Sequence, residues 1–495
     1  MDIKKRKESI IKNTGRYSLV QYFSQGIGFV IAISLRKFLG PYYMGIWSLM
    51  KVIHGYLSYG DMGVGAAATY KIPFFRGKKD RKSEILTRDT AFSFLFGMSV
   101  ISSFLLIGAA FLFRDKYSPV VIYGLIALSV YVILERLYSV YIVMLRANKD
   151  FKVLTKSMLF DSIVNLVLVL LLVRQFKIYG LYVSVSILAV LNTIYVHHKA
   201  RYEINFRFDF SRLKGLIVYG FPLLISGVLG ALLRTIDSIM IAKMLGIVFL
   251  GYYSIAMISK NYMYGLSNNL GIVTIPHIQE IYGKNEDMQE IKKFVTVPAE
   301  TIACLLAPAI GAMFIAMPVI IKGILPKYVP GIIALQILFL DSYFRSCYTQ
   351  AEQFIIALGK QTRLIPISAG AIVLNILLNL FFLKIGWGIG GVALGTSITS
   401  FFVFVTVIAY SMNHFSSFKE ICLFLIRIVM PICYIGMVIA ISYLWINVGN
   451  MYLVAVLRLI FLAVFSVPLI IYINKKTEVI KIIIKLLFKR GKDES

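Results

Sequence analysis

Apolar residues along this chain come in runs of twenty or more, broken by short polar stretches. A run of that length matches the roughly 20 helical residues needed to cross about 30 Å of hydrocarbon. Marking the runs predicts fourteen membrane-crossing helices, at 18–38, 44–70, 89–113, 119–145, 152–173, 178–197, 215–245, 250–282, 295–324, 331–358, 362–384, 390–410, 424–445 and 453–473. The expected fold class is an all-α polytopic membrane protein.

The pattern also repeats. "LGPYYMGIWS" at Leu39–Ser48 returns as "LGIVFLGYYS" at Leu245–Ser254, 206 positions on, and "RGKKD" at Arg76–Asp80 returns at the same offset as "YGKNE". A second pair, "VNLVLVLLL…YGLYVS" and "LNILLNLFFL…GGVALG", recurs at offsets of 210 to 211. An offset covering six spans is even, so both copies cross the membrane in the same direction. That predicts two pseudo-symmetric six-helix lobes related by an axis along the membrane normal. The expected division is 1–205 for spans 1–6, 206–410 for spans 7–12, and 411–495 for spans 13 and 14 with the tail.

Composition agrees with the spans and charge orients them. The chain is 495 residues long, 59% hydrophobic and 15% charged; about 25% charged is usual in soluble domains. Its mean hydropathy is +0.79. The net charge of +28 would suit nucleic acid, but most Lys and Arg fall at the two termini and in alternate loops, such as Lys71, Arg76, Lys78, Lys79, Arg81, Lys82 and Arg88. The positive-inside rule then places both termini and these loops in the cytoplasm and excludes nucleic acid as the partner. "MDIKKRKESIIKNTGR" precedes a full-length span and has no cleavage pattern, which predicts an uncleaved first span. Cys304, Cys347, Cys422 and Cys433 form no CxxC pair, and the five histidines have no ligand spacing, so no metal, disulfide or catalytic group is expected.

The loops on the other side are short, "RDKYSP" being typical. They leave no room for extracytoplasmic catalytic groups, which weighs against a membrane glycan polymerase or ligase. The tail "KKTEVIKIIIKLLFKRGKDES" puts Lys481, Lys485 and Lys489 on one helical face, with Ile482, Ile483, Leu486 and Leu487 opposite. This reads either as an amphipathic helix on an anionic leaflet or as a juxtamembrane stop signal.

"FLGPYYMGIWSLM", "GDMGVGAAATY" and "FRGKKD" resemble the first lobe of the oligosaccharide flippases, the polysaccharide transporters of the multidrug/oligosaccharidyl-lipid/polysaccharide superfamily. "FPLLISGVLGALLRTIDSIMIAKMLG" through "IPHIQEIYGKNED", with "ALGKQTRLIPISAGAIVLNILLNLFF", resembles the second. The resemblance implies alternating access that moves an undecaprenyl-diphosphate-linked oligosaccharide from the inner to the outer leaflet of a bacterial cytoplasmic membrane. A glycan polymerase is the implied partner. Two related readings stay open: a lipid II flippase, and a multidrug and toxin extrusion antiporter. The second usually has twelve spans and should present acids or aromatics to a cationic drug.

A diphosphate cargo calls for cations at membrane depth, where each costs about 2.5–3.5 kcal/mol if it faces lipid. Seven of the cations inside spans bear on this. Arg427 and Arg458 are close enough to span ends to snorkel, and Arg136 lies toward the cytoplasmic end. Arg345 has Asp341 four residues before it, and Arg234 has Asp237 three after it, so each is either a cargo contact or neutralised within its own helix. Lys51 and Lys260 have no acid on their own helices. Adding 206 to His54 gives 260, so these two residues are equivalent in the repeat, and His54 shares a face with Lys51. At 1.5 Å per residue, Lys260 lies about 14 Å and Arg234 about 16 Å from the outer ends of their spans. The expected cargo site is therefore Lys51, His54, Arg234 and Lys260, with Arg345 as a further candidate. Interhelical salt bridges to Asp61, Glu300 or Glu352 are the alternative. Asp61, Asp161 and Asp237 are candidates for Na⁺ or H⁺ coupling, or else for capping and packing; no other cofactor is expected. Tyr56, Tyr59, Tyr262 and Tyr264 are candidates for stacking on sugars or for ordinary interfacial packing.

Overall fold

The computed structural model describes residues 3–147, 150–200, 205–258, 260, 288–358, 360–413, 415–447 and 449–477. The tail from 478 to 495, "YGKNE", Tyr262 and Tyr264 lie outside the described residues. Every regular element among the described residues is helical, and nine of the described helical segments are long and apolar enough to cross a membrane. The protein is a multi-pass helical membrane protein, and large apolar side chains such as Phe104, Leu105, Met437 and Val464 line its exposed surface.

Helix α1 (Ile3–Leu57) carries the first span and the start of the second. The break between them is Gly40, at φ +72°, a conformation that costs glycine little and other residues much. Pro41 then restarts the helix with its φ already set and no N–H to satisfy. The expected continuous span 44–70 is in fact interrupted. After Leu57 comes one 3-10 turn, Ser58–Asp61, followed by Met62 and Gly63 in the left-handed region, before α2 (Val64–Gly77) begins. The cause is local: Asp61 Oδ1 accepts the Gly63 N–H at 2.9 Å, which offers the backbone an alternative to helix.

Helix α3 (Arg81–Leu112) starts at the cap residue Asp80, whose carboxylate accepts the Ser83 N–H at 3.0 Å. Helices α4 (Pro119–Ala147) and α5 (Phe151–Leu168) follow. A π-turn at Val169–Val173 leads into α6 (Arg174–Ala200), where Lys177 at φ +51° breaks the helix between the fifth and sixth spans. Gly180 sits so close to the Leu172 carbonyl that a Cβ would lie 2.1 Å from its oxygen. The repeat-equivalent glycine, Gly391, is also closely packed, against the Cβ atoms of Phe382 and Trp387. Helix α7 (Phe210–Met244) is capped by Asp209, and α8 (Ile247–Ile258) follows.

The chain divides into two compact units, Met1–Gly251 and Tyr252–Ser495. Helix α7 therefore packs with the first unit, 46 residues beyond the lobe boundary expected at 205. Gly63 and Gly220 let α2 and α7 touch backbone to backbone. Val64, Ala67, Ile72, Phe92, Leu95, Met144 and Leu216 bury one core across four helices. The two copies of the repeated stretch meet inside this unit: a Cβ on Gly45 would lie 1.9 Å from the Ile247 carbonyl oxygen, and one on Gly251 would lie 1.9 Å from the Pro41 carbonyl oxygen. Pro41 and Ile247 are themselves 206 positions apart, so the contact is reciprocal, as across a local two-fold.

The second unit holds α9 (Met288–Ile324), α10 (Ile332–Ala357), α11 (Leu364–Lys384) and α12 (Gly388–Met412). Helices α13 (Phe418–Trp445) and α14 (Met451–Thr477) pack on α9 and on each other. The Tyr343 hydroxyl on α10 donates to the Ile428 carbonyl at 2.5 Å and ties α13 to the core of the unit.

Candidate functional site

In the first unit, polar groups gather where α1 ends. Lys51 is exposed and has no acid partner among the described residues; its charged neighbour is another cation, Arg36, from the preceding span. Arg36 itself is buried and donates to the Ala32 carbonyl at 2.9 Å. His54 turns toward α4, with its ring 5.2 Å from that of Tyr131 and Nε2 3.9 Å from Glu135 Oε2. The Tyr56 hydroxyl lies 2.6 Å from Thr235 Oγ1, and that of Tyr59 donates to the Gly227 carbonyl at 3.0 Å. The two tyrosines thus brace the end of α1 and the turn after it against α7, which accounts for them without a sugar.

Arg234 is exposed and forms no ion pair among the described residues, whereas Asp237 is buried. The expected pairing of these two is absent because three residues carry Asp237 from the exposed side of α7 into its packed side. Arg136 finds its partner on another helix: Nη1 lies 4.0 Å from Asp61 Oδ2. Asp161 on α5 accepts from the Asn192 amide on α6 at 2.5 Å. Asp61 and Asp161 therefore have protein partners, and Asp237 is buried.

In the second unit, Lys260 is not left without a counter-ion. It is 4% exposed, and its Nζ lies 2.9 Å from Oδ2 of Asp341, itself 1% exposed. The other Asp341 oxygen accepts from Ser400. The expected neutralisation of Arg345 by Asp341 thus gives way to an interhelical pair, and Arg345 is half-buried on α10. A polar ladder runs between α11 and α12, with Asn379 Nδ2 donating to Asn375 Oδ1 at 3.1 Å and Asn375 Nδ2 to Thr396 Oγ1 at 3.2 Å.

The two pairings correspond. Glu135 and Asp341 are 206 positions apart, as are His54 and Lys260, so each unit carries a base–acid pair at equivalent places. Sequence reasoning matched the bases and missed the acids, although the same addition finds them. Arg36 and Ser400 gave no such signal, because nothing on their own helices marks them.

The fold is that of the MOP-superfamily transporters. It is similar to "Lipid II flippase MurJ, inward closed conformation", with a TM-score of 0.71 at 15% identity, covering 93% of this chain and 99% of that one. It is also similar to an inward-facing multidrug resistance MATE family transporter, with a TM-score of 0.65 at 16% identity, over 80% of this chain and 96% of the other. A MOP superfamily transporter from Pyrococcus furiosus matches with a TM-score of 0.58 at 15% identity, over 81% and 95%. Residues 36–328 match the family described as "Polysaccharide biosynthesis protein", and the chain belongs to that family. An uncharacterized membrane protein of Methanocaldococcus jannaschii is 25% identical over 274 residues, which is 51% of this chain and 63% of that protein's length.

Proposed function

We propose that the protein flips an undecaprenyl-diphosphate-linked oligosaccharide from the inner to the outer leaflet of a bacterial cytoplasmic membrane, with both termini cytoplasmic. The observation that carries this reading is electrostatic. Lys51 and Arg234 are exposed within predicted spans, carry no acid partner among the described residues, and the charged neighbour of Lys51 is again a cation. Cations held at membrane depth without acids favour an anionic cargo, and a diphosphate can accept both the fork of Arg and the point charge of Lys. A drug-cation antiporter is less well served by such a surface.

Lys260 enters this reading differently. It is already neutralised by Asp341, so it reaches a cargo only when that pair opens. Na⁺ or H⁺ coupling is assigned to the carboxylates Asp61, Asp161 and Asp237, each of which sits in or beside a predicted span. A glycan polymerase would receive the flipped product. The test is surface glycan display at matched protein level. Lys51→Ala and Arg234→Ala should each lower display by about tenfold, the equivalent of one charged hydrogen bond, while Lys51→Arg retains it. Wild-type display by both alanine variants would overturn the proposal.

A further inference from the structure

One cavity belongs to none of this. A space of about 360 Å³ opens where α9 ends and α13 gives way to α14, lined by Pro318, Lys322, Tyr443, Asn447, Val454 and Arg458 among others. That volume is in the range of small-ligand pockets. Two of the lining side chains are cationic and none is acidic. Neither Lys322 nor Arg458 is ion-paired to an acid among the described residues.

Arg458 is not snorkelling. Its guanidinium lies 3.6 Å from the centre of the Tyr443 ring, and Nη2 donates to the Ile446 carbonyl at 2.9 Å, just beyond the last residue of α13. Its Nε is enclosed and has no hydrogen-bond partner. The arginine is thus pinned by a stacked ring and one carbonyl, which leaves donors in a fixed fork. Lys322, on α9, supplies a second and more mobile charge. Asn447 adds an amide, and Pro318 and Val454 add apolar wall. At the same end of the bundle Trp445, Tyr452 and Leu444 are exposed, as is usual for side chains at a membrane–water interface.

We propose that this cavity binds a phosphate-type anion, in class the phosphate-ester headgroup of a membrane lipid. Only its placement on the outer side of the membrane rests on the function proposed above. The pinned arginine would grip the phosphate in a forked geometry, the lysine would close over it, and the apolar wall would face the glycerol or prenyl stem.

The experiment uses the full chain in phosphatidylcholine nanodiscs doped with a photoreactive phosphatidic acid whose diazirine lies next to the phosphate. Cross-linked peptides are mapped by mass spectrometry. Labelling should concentrate between Tyr443 and Arg458. It should fall about tenfold in the Lys322→Gln/Arg458→Gln double variant, as expected for losing charged hydrogen bonds. Arg458→Lys, which keeps the charge but loses the stacked fork, should fall between the wild type and the double variant, and thermal unfolding of each variant in the same nanodiscs controls for folding. Displacement by unlabelled phosphatidic acid but not by inorganic phosphate identifies a lipid headgroup; displacement by inorganic phosphate keeps the anion site but assigns it to a soluble ligand. Unchanged labelling in a folded double variant, or no labelling in this stretch, would overturn the site. No transport is needed, so normal labelling alongside normal glycan display by the Lys51 and Arg234 variants would sink the flippase reading and leave the site standing.

Discussion

Lys260 Nζ and Asp341 Oδ2 lie 2.9 Å apart in a nearly sealed part of the second unit, 81 positions from each other in the chain. Taking two charges out of water is costly, and removing one partner of a buried pair is costlier than replacing both. Lys260→Met should therefore destabilise the protein by about 3–5 kcal/mol, with Asp341→Leu similar and the Lys260→Met/Asp341→Leu double variant much milder. Thermal unfolding of the four proteins in detergent gives the cycle. Additive losses would mean that the two side chains do not act as a pair.

The reciprocal contact of Gly45 and Gly251 predicts a second cycle. A methyl group on either would overlap a carbonyl oxygen of the other copy, and backbone cannot step aside as a flexible side chain can. Gly45→Ala and Gly251→Ala should each cost about 1–3 kcal/mol, the usual range for overpacking. Together they should cost less than the sum, since the first substitution already parts the helices. Gly97→Ala, with open space around it on α3, should be neutral or slightly stabilising.

Orientation can be read chemically. Lys79 is exposed in the loop between α2 and α3, and Asp115 is exposed just beyond α3. In a background without the four native cysteines, a cysteine at 79 should react with an impermeant maleimide only after permeabilisation, and one at 115 in intact cells. The reverse pattern would invert the placement of every loop and of the Lys322–Arg458 cavity.

Acid should loosen the α2–α3 turn. The Ser83 hydroxyl and backbone N–H, which donate to Asp80, hold its carboxyl below the usual carboxylate range. A depressed carboxylate contributes stability that is present above its unfolded pKa of 3.8 and is lost as pH falls through the lower folded value. Protection of the first turn of α3 against hydrogen exchange, taken relative to the intrinsic rate at each pH, should therefore fall below about pH 4. Asp80→Ala should exchange fast at every pH, whereas Asp80→Asn should keep the cap and flatten the pH dependence. An unchanged acid response in Asp80→Asn would assign it to another group.

Most spans seen among the described residues were legible in the chain because a run of twenty apolar residues has one good solution in lipid, a helix that satisfies its own backbone, whereas the break at Ser58–Gly63 was not. The Leu39 and Leu245 copies and the 206-residue offset were legible for a similar reason: the glycines that let the two copies touch cannot be replaced by larger residues. Within a helix, three- and four-residue neighbours suggested that Arg234 would meet Asp237 and Arg345 would meet Asp341. Tertiary packing decided otherwise, since it set Asp237 on the buried side of α7 and turned Asp341 toward Lys260 and Ser400. Arg458 looked like an interfacial arginine free to reach water, and became part of a cavity only because α13 and α14 both pack on α9. Local spacing governs which residues share a face of one helix; which faces meet is settled by shape and burial across helices, and the partner of a buried charge is chosen there.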